Sequence, residues 1–219
     1  MTFAAVSTII QTTTTSLSTA PTVIGQFYIV ETVCASATVY CNGMSGGNCT
    51  WVQLGSQFVG TTFAYYASTF LGTATATGAA TATLTFSGTK PTTRTSGQLF
   101  SSTVGSFSLD GTVGTVDSSG TANYPSLNPA GAGELYFGFA YWDGACTNGT
   151  TTGYVYQQDA GSNGMVYNVA CTSGAQAPTW GSAGASLGQA VLLKESAAAV
   201  VGGKQIFQAR QAVKRAAFW

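Results

Sequence analysis

Apolar and polar side chains alternate along most of this chain in short runs, and helical period is nearly absent before residue 196. GQFYIVET sets Phe27, Ile29 and Glu31 on one face and Tyr28, Val30 and Thr32 on the other. TWVQL sets Val52 and Leu54 opposite Trp51 and Gln53, and ATLTF sets Ala82, Leu84 and Phe86 opposite Thr83 and Thr85. SFSLDGTV alternates Phe107, Leu109 and Val113 with polar residues. ELYFGFAYW puts Leu135, Phe137, Phe139 and Tyr141 on one side. GYVYQQ, GMVYNVAC and GQAVLLKE complete the set.

Turn-forming text separates these runs: NGMSGGN, SGTKPTT, NPAGAG, DGACTNG, DAGSNG and TSGAQAPTWGSAGAS. About nine to eleven strands without intervening helices predict an all-β protein, an antiparallel β-sandwich of jelly-roll type. Residues 1–20 are Thr-rich and read as an N-terminal arm or edge strand, residues 21–201 as the sandwich, and residues 202–219 as a separate C-terminal peptide. TATATGAATAT, at 73–83, reads as a strand of small side chains.

That last peptide follows Gly202-Gly203. Ile206, Ala209, Val213 and Ala217 mark one apolar stripe of a short helix, with Arg210 and Lys214 one residue off it. A helix this short is marginal alone in water, so order here requires a partner surface. Ile206, Phe207, Arg210, Val213, Lys214, Arg215, Phe218 and Trp219 are the expected docking residues, the terminal Phe and Trp acting as anchors.

Composition sharpens the picture. Charged residues are 6% of the chain and hydrophobic residues 45%, so the chain is neither disordered nor conventionally charged at its surface. A surface this poor in charge favours association. Residues 1–201 carry Lys90, Arg94 and Lys194 against all seven acids, while Lys204, Arg210, Lys214 and Arg215 give the last segment a charge of +4. An acidic body is a poor nucleic-acid binder. The peptide's charge suits its own body or an identical neighbour's. No run approaches the ~18 apolar residues of a membrane span. MTFAAVSTIIQTTTTSLSTAPT has no basic region like that of a signal peptide, which predicts synthesis in a cytosol.

Chemistry is sparse. The chain has no histidine, hence no ordinary general base near neutral pH and no complete triad for the G-x-S-x-G match GASLG at 184–188. Carboxylates remain: Glu31, Asp110, Asp117, Glu134, Asp143, Asp159 and Glu195, read mostly as turn and strand-end residues. DAGSNG offers Asp159, Ser162 and Asn163, too few oxygens for calcium. No metal, cofactor or catalytic residue is expected. NCT at 48–50 and NGT at 148–150 match the glycan-acceptor pattern, as expected by chance in so Thr- and Asn-rich a chain. Five cysteines are either reduced or partly bridged; Cys41 with Cys49, across a Gly-rich loop, and Cys146 with Cys171, across a hairpin, are the pairs considered. Tyr136, Trp142, Tyr154, Tyr156 and Trp180 either stack on sugar rings or pack inside the sandwich.

Three stretches, AGELYFGFAYWDG, NGMVYNVACTSGAQAPTW and GQAVLLKES, together resemble the small β-sandwich structural proteins of actinobacterial phages, of minor-tail or decoration type. QAVKRA at 211–216 is similar to short C-terminal extensions found among them. The resemblance implies a non-enzymatic virion protein that docks to other tail or capsid subunits, oligomeric, made in the host cytoplasm, binding no nucleic acid and inserting in no membrane. A host-surface carbohydrate-binding module is the alternative.

Overall fold

The computed structural model describes residues 3–7, 10–119, 123–142, 147–158, 163–181 and 184–196. Within them the chain forms β1 (Phe3–Ala5), β2 (Ile10–Thr12), β3 (Ser16–Thr19), β4 (Phe27–Cys34), β5 (Cys41–Gly46), β6 (Cys49–Val59), β7 (Tyr66–Ala74), β8 (Ala80–Phe86), β9 (Thr93–Ser102), β10 (Phe107–Leu109), β11 (Gly114–Ser118), β12 (Glu134–Trp142), β13 (Val155–Gln158), β14 (Gly164–Cys171) and β15 (Ser186–Glu195). No helix occurs among the described residues. The docking peptide lies outside them.

Every pairing is antiparallel. A central sheet runs β1-β9-β4-β7-β6, with β2 also on β9; a second runs β10-β15-β12-β14-β13, with β11 also on β15; a small third sheet is β3-β8-β5. The first half of the chain thus builds the central and small sheets, and the second half builds the other. The sandwich is as expected. The order does not establish a jelly-roll winding, since each half of the chain completes sheets of its own.

Three apolar layers explain the stacking. Phe27, Ile29, Val33 and Phe100 of the central sheet meet Leu135, Phe137, Phe139, Val191 and Leu193 of the second. On the opposite face of the central sheet, Tyr28, Val30, Phe70 and Leu99 meet Leu17, Met44, Ala82 and Leu84 of the small sheet. The outer face of the second sheet, with Tyr136, Val166 and Leu192, is covered by Tyr124 and Trp180 from its loops. Strand β4 is therefore buried at every position. Its two apolar faces, visible in FYIV, are those of a strand with layers on both sides.

The Thr-rich start is not a free arm where it is described: β1 and β2 extend β9, and β3 edges the small sheet. TATATGAATAT is not one strand. Its first residues end β7, and the chain then crosses to β8 in another sheet. SFSLDGTV is likewise split between β10 and β11.

Outwardly the small sheet is hydroxylated. Thr81, Thr83 and Thr85 alternate with inward Ala82 and Leu84, and Ser16, Ser18 and Ser45 face water opposite them. If this sheet is an integral layer, truncating Leu17, which is 1% exposed, must lower global stability. Leu17→Ala is expected to cost about 2–5 kcal/mol in one cooperative denaturant transition. A separate early transition with the main one unshifted would show a detachable flap instead.

Candidate functional site

The described carboxylates hold the fold. Asp117 on β11 accepts the backbone N–H of Thr61 at 2.6 Å, its hydroxyl at 2.7 Å and the Thr62 N–H at 3.1 Å, fixing the turn after β6. Glu195, ending β15, accepts the Ser102 hydroxyl at 2.5 Å and the Thr103 N–H at 3.0 Å, where the chain passes from one half to the other.

Asp110 and Glu134 form a buried carboxyl pair. Asp110 meets Lys194 Nζ at 2.7 Å and accepts the Ala130 N–H at 2.7 Å; Glu134 accepts the Gly131 N–H at 2.9 Å. The Lys194 ammonium holds Asp110 below the ordinary carboxylate range. Burial, then repulsion from Asp110, pushes Glu134 up. Any proton the pair holds therefore sits on Glu134 before Asp110. Paired carboxyls can do acid–base chemistry, but glycosidic carboxyls stand about 5–9.5 Å apart with the sugar between them. Here the two carboxyls lie beside each other, and each takes one of two successive loop N–H groups. They pin the turn at residues 128–133.

Glu31 is the unusual acid. It shares the face of Phe27, Ile29 and Val33 and sits between the two large sheets at 0% exposure. Its cross-strand partner Thr69 lies 3.5 Å from Glu31 Oε2 and donates at 2.9 Å to Gln189 Oε1 on β15. Burial pushes the Glu31 carboxyl well above its ordinary 4.5, and the Gln189 backbone and Thr69 hydroxyl offset only part of this. The group is a neutral acid in the fold.

Of the two readings of the cysteines, the described ones follow the reduced one. Cys41 and Cys49 are free thiols, and no bridge joins them. CNGMSG is strand β5, so the tight turn lies beside Cys49 and a strand length, on the order of 15 Å, separates it from Cys41. A disulfide needs Cα atoms within about 7 Å. Cys171 is a buried free thiol, and Cys146 lies outside the described residues. Burial pushes Cys34, Cys49 and Cys171 to about 11 and Cys41 to about 12, so thiolate is scarce at neutral pH.

The aromatic set is also redistributed. Tyr136 is 0% exposed and donates to Pro125 O at 2.7 Å; Trp180 is 8% exposed and packs on Tyr124 at 5.3 Å. Neither ring can stack on a sugar, because loops cover the outer face of their sheet. Trp142 ends β12, and its side chain is outside the described set. Tyr154 and Tyr156 are half-buried. Tyr154 lines an open hollow of about 640 Å³ with Thr151, Thr152, Asn168 and Gln176, and bonds Gln176 Oε1 at 2.5 Å.

Two sequence motifs resolve structurally. Ser186 of GASLG starts β15 at 0% exposure, on no strand-to-helix elbow. Asn48 sits at φ 57° in the turn before β6, and its side-chain nitrogen bonds Thr77 O and Gly78 O, leaving it committed to the turn. Asp143, Asp159 and the eight docking residues lie outside the described residues. No cluster of three or more metal-ligating side chains occurs among the described residues.

Comparison of the chain with protein-family models, curated proteins and solved structures finds no match. The likeness to phage structural proteins therefore rests on the three sequence stretches alone.

Removing the buried acid tests its protonation. A carboxyl whose folded pKa is raised stabilises fully below its unfolded pKa, and that contribution is lost as pH rises through the folded value. Urea midpoints measured from pH 4.5 upward should fall for the native protein relative to Glu31→Gln, which cannot ionise. Parallel curves would mean that Glu31 is solvated.

Proposed function

We propose that the protein is a non-enzymatic structural component of a phage particle, a minor tail or capsid-decorating subunit, whose C-terminal peptide docks onto neighbouring subunits. The observation that carries this reading is the use of charge. Five of the seven acids are described, and each is committed inside its own chain. Lys194 is spent on Asp110, and Lys90 bonds Pro91 O. Outward lies an uncharged hydroxyl face of Ser16, Ser18, Ser45, Thr81, Thr83 and Thr85. Hydroxyls are far cheaper to desolvate than charges, so such faces pack densely. The +4 peptide at 202–219 supplies the directed contact that a neutral face lacks.

Particles purified from a producing strain test this. Deletion of residues 202–219 should lower the occupancy of the protein severalfold, and Thr83→Glu should lower it with unchanged melting temperature. Full occupancy of the truncated chain overturns the docking role. Absence of the intact protein from purified particles overturns the virion reading.

A second reading, carbohydrate binding at a host surface, is favoured by the Tyr154 hollow, where a half-buried ring meets uncharged Thr, Asn and Gln side chains. Tyr154→Ala should then abolish binding on a glycan array while leaving particle occupancy intact. Unchanged glycan binding in Tyr154→Ala excludes this hollow as the site.

A further inference from the structure

A second hollow, of about 410 Å³, opens at the edge of the sandwich between β6 of the central sheet and the β10–β11 turn of the second sheet. We propose that it is a binding site for one small neutral polyhydroxylated ligand, a monosaccharide or polyol, held by the hydroxyl and amide groups of its walls. The proposal is independent of the virion reading.

Its shape is built into the chain. The register of β6 on β7 breaks between Leu54 and Phe58, and the extra residues form the outer wall. Gly55 is required there twice over. Its φ of +67° favours glycine, and a Cβ would stand 2.7 Å from Val113 Cγ2 of the opposite wall. The volume lies within the usual range of small-molecule sites, about 300–1,000 Å³.

The lining defines the ligand. Phe58, Leu109 and Val113, which also pack on the main core, are the apolar walls. Ser56, Gln57, Thr112 and Thr115 supply hydroxyl and amide groups. None of the described lining residues is charged, so neither an anion nor a cation finds a counter-charge. A compact molecule with C–H faces and a rim of hydroxyls matches walls of this kind.

Gln189 closes the floor and is committed to the fold: it is 1% exposed and its Oε1 accepts the Thr69 hydroxyl, so the rim hydroxyls and the Gln57 amide make the ligand contacts. In the Tyr154 hollow, by contrast, the Gln176 amide is already used: Nε2 donates to Thr172 O and Gly174 O, and Oε1 accepts the Tyr154 hydroxyl.

Saturation-transfer NMR and calorimetry on the full chain test the site, with the methyl glycosides of glucose, galactose, mannose, arabinose and N-acetylglucosamine, and with glycerol, as probes. At least one is expected to bind. Ser56→Trp, at an exposed position on the rim, should block the hollow and abolish that binding without changing the melting temperature. Thr115→Val should weaken it by about fivefold to tenfold, the loss of one hydrogen bond. Thermal melts with each probe identify any variant that fails to fold, and Ser56→Trp then decides alone. Failure of every probe to bind overturns the proposal. So does binding unchanged in Ser56→Trp, and so does binding lost in Tyr154→Ala but kept in Ser56→Trp, which belongs to the other hollow.

Discussion

The central sheet meets water on neither face over its middle strands, so any polar group it carries must find its partner inside the protein. A charge could not be satisfied there cheaply, but a hydroxyl can, because it donates and accepts in whatever direction its neighbour offers. Thr32 and Thr95 bond each other at 2.9 Å between adjacent strands. Ser68 donates to Cys41 O across to the small sheet, and Thr93 donates to Thr13 O of the N-terminal segment. Gln98 reaches Ser7 O in the same way. The Thr- and Ser-rich composition is thus partly an internal feature, needed wherever a sheet is buried on both sides. Glu31 is the one acid admitted to the central sheet, and it enters without its charge.

Because each half of the chain makes its own sheets, the halves must be joined across the sandwich, and the remaining acids do much of this. Asp117 of the second half holds Thr61 and Thr62 of the first; Glu195 holds Ser102 and Thr103. The buried chain Glu31–Thr69–Gln189 crosses between the same halves through the core. Loop N–H groups that no strand can satisfy are natural acceptor-seekers, and a carboxylate satisfies two or three at once. This accounts for so few acids and so little charge left over.

The sequence made legible the strands that are rich in apolar side chains, on one face as in ATLTF of β8 or on both as in ELYFGFAYW of β12. It hid the strands whose inward side chains are small or polar. TRTSGQLFSS is β9, almost wholly buried, yet fell in no predicted run, because its inward Thr95 and Gln98 bond Thr32 and Ser7, neighbours remote in sequence. CNGMSG was masked in the same way by its glycines and became β5, which removed the geometric basis for the Cys41–Cys49 bridge. The aromatics of the second sheet misled because both faces of ELYFGFAYW are apolar; that pattern signals cover on both sides, and Tyr136 is accordingly sealed under loops. Among the acids, Glu31 was readable as inward from its position on the face of Phe27 and Ile29, while the pairing of Asp110 with Glu134, 24 positions further along the chain, was not.

The same division of the chain explains where an unfilled space can persist. At the β1 and β10 edges the crossing between halves brings the sheets together, and Glu195 ties them. At the β6 edge no covalent connection passes from one sheet to the other, and closure depends on side chains from a bulge and a turn. Phe58 and Val113 pack inward from the two sides, but they leave a hollow of about 410 Å³ above Gln189. A closely packed interior would be expected to fill such a gap with one larger side chain at position 55 or 111. Both positions are instead glycine at positive φ, so the backbone turns that shape the opening also exclude the residues that would close it.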